Sequence, residues 1–327
     1  MTGATSVRIV RDRLVMGPLT VEFQRTLRIP EAGLHPLPPG LGPFPLRRVE
    51  DYPDTAPGDW LARGGVMLPI YQREAMWLSF DAAEPTALQV GVGKVCAVSG
   101  LPWIEHLVKD PQNYVVLPDQ PWLDGINAGD GFIRQFVAVP LGSGATVEAQ
   151  VTGQETHGGV QLRAVGLTVQ ALAAWRAAQR IRPEVCLSSA PMPCPEAAGS
   201  ADMGLGAGGR MRQEVYTDVR PLADYDGDGA QRVFVHLCSA AQWTAITGEV
   251  PPPTPVDRDA YVSAGLPWFD YYDADAQDLA PSQILAKVKT VGEKFGGGED
   301  EPFVPVDPKT VITLGDAGSD AITDGKW

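Results

Sequence analysis

Histidine is scarce in this chain of 327 residues: His35, His106, His157 and His236 are the only four, and no two lie close in sequence. That spacing excludes the paired-histidine zinc motifs. His236 and Cys238 sit at i and i+2 of one β-like run, which is half a zinc site at most and reads better as core packing. Four cysteines (Cys96, Cys186, Cys194, Cys238) are too few for a disulfide scaffold. Cys186 and Cys194 are near enough to pair, although a reduced intracellular chain is the simpler expectation. Charged residues make up only 20%, and no stretch nears the ~20 apolar residues that span a bilayer. The opening MTGATSVRIVRDRL has no apolar signal core, so a cytoplasmic location is expected. Positive charge is in deficit, with a formal net charge of −14 and a pI near 4.7. Such a surface repels phosphate backbones and anionic lipids, so neither nucleic acid nor a membrane is an expected partner. There is no G-x-S-x-G elbow and no P-loop.

What the chain has in quantity is glycine (36) and proline (30), beside a hydrophobic share of 44%. This favours short elements joined by structured turns around a full core. The fold class expected is β-rich α+β: short, mainly antiparallel strands, one or two helices and long ordered Gly/Pro-rich loops. Residues 7–29 read as a hairpin about Gly17-Pro18, with Val21, Phe23, Leu27 and Ile29 buried and arginines on the opposite face. Further strands are expected in 66–80, 114–126, 133–141, 159–167, 211–219 and 231–240, and a bent hairpin about Gly91–Gly93. SGATVEAQVTG (143–153) fits a short helix capped by Thr146 or, equally, a strand. TVQALAAWRAAQRI (168–181) is the clearest helix, and SQILAKVKTVGEKF (282–295) a second, capped by Ser282 with Ile284, Leu285, Val288 and Val291 on one face.

The expected organisation is an N-terminal β-rich lobe (1–186), a small-residue loop or hinge (187–209), a C-terminal α+β lobe (210–295) continuous with the first or separate, and an acidic tail (296–327), docked or disordered. Charge is uneven: Thr254–Trp327 holds eight of the fourteen net negative charges, whereas the first 30 residues carry Arg8, Arg11, Arg13, Arg25 and Arg28.

Few motifs carry chemistry. Gly204-x-Gly206-x-x-Gly209 has the dinucleotide spacing but follows a loop and precedes a strand, the wrong context for pyrophosphate on a helix N-terminus. A flexible hinge is the better reading. The stretch DYDGDG supplies Asp224, Asp226 and Asp228 at the first three ligand positions of a calcium loop and Gly229 at its turn. Arg232 and Val235 then stand where oxygen ligands belong, so an acidic hairpin tip competes with weak calcium binding; calcium is the only cofactor in view. Trp77, Trp103, Trp122, Trp243 and Trp268 sit in turn-rich contexts, three of them directly after proline, as contact surfaces do, or cap small cores. Polar candidates for a catalytic pocket on strand ends are Glu74, Asp124, Arg134, His157 and Glu214. Candidates for binding are Trp103, Trp122, Gln135, Arg210, Arg212 and Trp268.

GGVMLPIYQREAMWLSF, NYVVLPDQPWLDG, IRQFVAVPLGSGATVEAQVTG, GGRMRQEVY, AQWTAITGEVPPPTP and AGLPWFDYYDADA together resemble a widespread family of microbial hypothetical proteins, over most of residues 10–290. Some members bear an integral-membrane label, which this chain's lack of a spanning segment does not support. The resemblance implies no activity and no site residues. Three functions are therefore open: a non-catalytic protein that binds a protein partner or its own copies, an enzyme of unknown class, or a weak calcium binder. The first is favoured, because no complete catalytic constellation is legible and the arginine-rich start complements the acidic end.

Overall fold

The computed structural model describes residues 7–29, 34–35, 38, 40–129, 132–179, 203–253, 279 and 282–295. Strands dominate. In chain order they are β1 (Arg8–Val10), β2 (Arg13–Met16), β3 (Leu19–Thr26), β4 (Leu34–His35), β5 (Gly40–Pro43), β6 (Arg47–Arg48), β7 (Val66–Pro69), β8 (Ala75–Ala82) and β9 (Thr86–Val92). There follow β10 (Val95–Cys96), β11 (Val115–Leu117), β12 (Trp122–Leu123), β13 (Gly125–Gly129), β14 (Phe132–Pro140), β15 (Val160–Gly166), β16 (Met203–Arg212) and β17 (Gln231–Cys238). Five helices are described: α1 (Gly58–Arg63), α2 (Val147–Thr152), α3 (Val169–Gln179), α4 (Ala240–Thr247) and α5 (Val291–Phe295). The class is β-rich α+β, with more helices than the one or two expected. No helix among the described residues is long and apolar enough to cross a membrane.

Two runs of strands share one core. The first is β1-β2-β3-β8-β14-β16, antiparallel throughout. The second is β7-β17-β15-β9, antiparallel except for the parallel β7–β17 pair, with β10 and β11 along the far edge of β9. Among the described residues the runs meet at a single strand pairing, Met203↔Leu237. Alternate residues of both runs point into the same apolar cluster: Leu14, Phe23, Leu78 and Phe136 from one, Val90, Leu162, Val235 and Leu237 from the other. Residues on both sides of 187–209 thus build one core.

The sequence pattern places most elements correctly. The β2–β3 hairpin turns on Gly17-Pro18, and the β9–β10 hairpin on Gly93 (φ +57°) and Lys94. Residues 143–153 resolve as helix: Thr146 Oγ1 accepts from Ala149 N (3.0 Å) and Gly153 closes it in a left-handed cap. α3 lies within the expected 168–181, with Leu172 and Trp175 packed on Tyr114, Val165 and Tyr225.

Several expectations are corrected. Gly204–Gly209 is neither hinge nor loop but the body of β16, paired to β14. Its glycines permit close overlay: a Cβ on Gly204 would lie 2.8 Å from Thr146 Cγ2, and one on Gly206 2.9 Å from Val291 Cγ2. Residues 187–202 lie outside the described residues. The strand expected at 211–219 ends at Arg212; beyond it the chain is pinned by side chains, as Gln112 and Gln120 bind the backbone at Tyr216, Asp218 and Glu214. DYDGDG therefore does not join a hairpin. The helix expected at 282–295 is broken: one 3-10 turn (Leu285–Lys287), extended Val288, then α5. Leu285, Val288 and Val291 are buried as expected, whereas Ile284 is exposed. Arg25 is not on an exposed face but 3% accessible, with Nε donating to Glu74 Oε1 at 2.8 Å. The acidic tail (296–327) and Trp268 lie outside the described residues.

Candidate functional site

The side chains proposed from sequence do not converge. Glu74 is spent on Arg25 and on accepting Tyr71 N (3.0 Å); burial pushes its carboxyl up, opposed by Arg25. Asp124 is buried between β12 and β13, where Gln213 Nε2 donates to Oδ2 (2.9 Å) and Gln213 Oε1 takes the Asp124 N–H (3.0 Å). Burial raises its pKa to about 8, against the hydrogen bonds from Gln213 and Trp122, so it is a neutral acid at pH 7. Arg134 reaches the Val288 carbonyl, and the Glu214 carbonyl accepts from Gln120 (3.2 Å). Gln135, fully buried, clamps Leu27 O (2.9 Å) and Ile29 N (3.1 Å). Arg210 is exposed and lies over the Phe132 ring (4.7 Å). Arg212 is described in its backbone alone, paired to Phe132. Trp122 packs against Ile29, Ile133 and Met211. These are braces between strands and loops.

The DYDGDG stretch is divided. Asp224 ends a 3-10 turn. Tyr225 is buried, and its hydroxyl donates to Asp218 Oδ2 (3.1 Å) beside that of Tyr114 (2.8 Å). Asp226 Oδ1 accepts Gly229 N (3.1 Å), and Asp226 and Asp228 face outward. Among the described residues no three His, Cys, Asp or Glu side chains gather as a metal set. His236 donates Nε2 to Gly64 O (2.9 Å) and stacks on Trp60 (ring centroids 4.4 Å), while Cys238 Sγ donates to Leu68 O (3.1 Å). Burial drives His236 down to about 3, so it stays a neutral core imidazole.

One surface does gather charge and aromatic area. Val160, Leu162, Val233, Val235, Leu88 and Val90 face the core, so the alternate residues Gln161, Arg163, Arg232, Phe234, His236, Gln89 and Gly91 line the opposite face of β9, β15 and β17. Arg163 and Arg232 are direct cross-strand neighbours, an unfavourable pairing of like charges. Gln89 Oε1 accepts from Arg163 (3.0 Å) and Glu105 pairs with Arg232, which offsets the repulsion. Arg63, at the end of α1, lies over the Phe234 ring (4.9 Å). Lys94 rises from the β9–β10 turn. Its pKa is held below the ordinary lysine range by burial, then by Arg63 and Arg232, against Glu105 and Glu148. These groups are therefore within electrostatic reach of one another.

The loop Leu101–Glu105 closes over this face. Gln89 Nε2 holds it by Ile104 O and His106 O (both 3.1 Å), and Trp103 N donates to Lys94 O (2.9 Å). The Trp103 ring lies on Gly91, where a Cβ would stand 2.6 Å from Cε3. Only glycine leaves room for that ring. Leu101 (38%) and Ile104 (36%) remain exposed. At the rim, buried Glu148 accepts from Gly158 N (3.0 Å) and His157 N (3.2 Å), and its Oε1 is 3.3 Å from His157 Nδ1. Burial and then Lys94 depress His157. On the other flank Arg163 Nη2 donates to Gly227 O (3.1 Å), which sets the acidic turn of Asp226 and Asp228 beside the cations.

Of this face, Trp103 and His157 were legible in the sequence. Arg63, Lys94, Arg163 and Arg232 were not, since they come from four separate elements with no local pattern. The one available signal was the residue other than aliphatic at every second position of QLR (Gln161, Arg163) and RVFVH (Arg232, Phe234, His236). Comparison with protein-family models, curated proteins and solved structures returned no match to the chain.

Proposed function

We propose that this chain is a non-catalytic interaction protein whose contact surface is the cationic, aromatic face over β9, β15 and β17, and whose partner is a second copy of itself. The observation that carries the reading is the gathering of the partly exposed Arg63, Lys94 and Arg232 against Glu105, above the buried Arg163 and Glu148, an excess of two positive charges on a chain of net charge −14. Trp103 beside those arginines has the composition of a contact hot spot, and the exposed Leu101 and Ile104 add apolar area around it. The acidic turn of Asp226 and Asp228 adjoins the patch at Arg163. A surface with both signs side by side is self-complementary, as a two-fold contact requires, because each copy offers its cations to the other's acids. A catalytic reading has less support, since the side chains of Glu74, Asp124 and Arg134 are each committed to a separate brace.

Hydrogen exchange at rising protein concentration tests the surface. The amides of 101–106 and 226–229 should gain protection together as concentration rises, and lose it in high salt. Unchanged protection in both segments across the concentrations at which the chain associates would contradict the reading.

A further inference from the structure

A second surface is also cationic. The segment Ile284–Lys294 runs beside α2, and between them lies a groove of about 390 Å³ lined by Gln150, Val151, Ile284, Val288 and three lysines, Lys287, Lys289 and Lys294. The walls are fixed: Gln150 Oε1 accepts Lys289 N (2.7 Å) and Gln150 Nε2 donates to Lys289 O (3.0 Å), while Val288 and Val291 are buried. The three lysines are exposed, and Glu293, next to Lys294 in sequence, is turned to cap Thr290 N (2.6 Å). The groove therefore offers a short apolar floor under three ammonium groups.

The chain supplies a segment of matching chemistry directly after it. Lys294-Phe295 is followed by Gly296-Gly297-Gly298, then Glu299-Asp300-Glu301, then Pro302-Phe303-Val304. Three carboxylates match three lysines, and Phe303 and Val304 match the apolar floor. From Lys294 to Glu299 is five residues, a reach of up to about 17 Å. Three consecutive glycines impose almost no restriction on reversing direction. Tethering over so short a linker gives an effective concentration of about millimolar or more, well above that of a second copy in dilute solution.

We propose that the groove between α2 and α5 is the docking site of the chain's own acidic segment Glu299–Val304, bound in cis through Lys287, Lys289 and Lys294. The contact is ionic with an apolar anchor, so it weakens with salt. It also leaves the cationic face over β9, β15 and β17 as the principal exposed basic surface, because the lysines of the groove are covered.

Hydrogen exchange of the full chain at low ionic strength tests this. Amides of 299–304 should exchange about tenfold slower than in the variant Lys287→Glu/Lys289→Glu/Lys294→Glu. Glu299→Gln/Asp300→Asn/Glu301→Gln, which leaves the groove untouched, should lose the same protection. Adding Glu299→Lys/Asp300→Lys/Glu301→Lys to the lysine-reversed chain should restore it. The effect should not depend on protein concentration. Equal exchange in all four proteins would overturn the proposal, and so would protection that grows with concentration, which would place the segment in the groove of another copy.

Discussion

Gln161 carries Oε1 and Nε2 into a fully buried position where neither atom has a hydrogen-bond partner among the described residues. A buried unpaired polar group costs about 1–3 kcal/mol. Gln161→Leu keeps the volume and removes both groups, so it should stabilise the fold by about 1–3 kcal/mol in urea unfolding; a loss of stability would mean that the amide is satisfied. Asp124 sets a pH dependence of definite sign. Its folded pKa of about 8 stands above the ordinary 3.8, so the folded chain holds a proton that the unfolded chain releases, and stability falls as pH rises between those values. His236 works the other way: its folded value of about 3 lies below 6.5, and stability falls as pH drops under 6.5. From pH 6.5 to 8 only the Asp124 effect remains of the two, and it amounts to about 2 kcal/mol. Asp124→Asn should flatten that decline. An equal slope in both proteins would remove Asp124 as its source. Sequence alone does not show any of this. Gln161 and Arg163 alternate with apolar neighbours as solvent-facing residues would, because period-2 polarity cannot tell water from a second layer of protein lying on the strand, whereas Arg25 falls in the core-facing register of Val21, Phe23 and Leu27, where Glu74 pairs with it.

At the scale of elements, strands with strong alternation (β3, β14, β15, β17) and the alanine-rich α3 are legible, since burial of one face is what the pattern encodes. The failures have physical causes. β16, with MGLGAGGRMR, does alternate Met203, Leu205 and Ala207 into the core, but its glycines imitate a loop, whereas they serve the close passage of Thr146 and Val291 over the strand. The turn between β1 and β2 uses Arg11 and Asp12 at φ +51° and +60°, a geometry usually announced by Asn-Gly. α4 went unexpected although Ser239 caps it through Gln242 N (3.2 Å) and Gly248 ends it, because Trp243 among turn-forming residues reads as a loop. The β16 explanation makes a prediction. Gly206→Val places branched atoms against Val291 and the Ala145 carbonyl and should cost about 1–3 kcal/mol or more. Gly166→Ala, with nothing near its Cβ, should leave the melting temperature within error. Similar small shifts for both would show that β16 tolerates side chains and that its glycines are not there for packing.

On the scale of the whole molecule, an acidic chain carries an aromatic, cationic face with an acidic turn beside it, and the role proposed for that face is to hold two copies together. Sedimentation velocity on the full chain and on Arg63→Glu/Lys94→Glu, at low and high salt, measures that most directly. Both side chains are half-buried at the surface and neither is part of the core, so the variant should stay folded, which its circular dichroism will show. The native chain should sediment as a concentration-dependent dimer in low salt and dissociate in about 0.5 M salt, where screening shortens to a few ångströms. The variant should remain monomeric throughout. A native chain that is monomeric at every concentration, or a variant that dimerises as well as the native chain, would contradict the account.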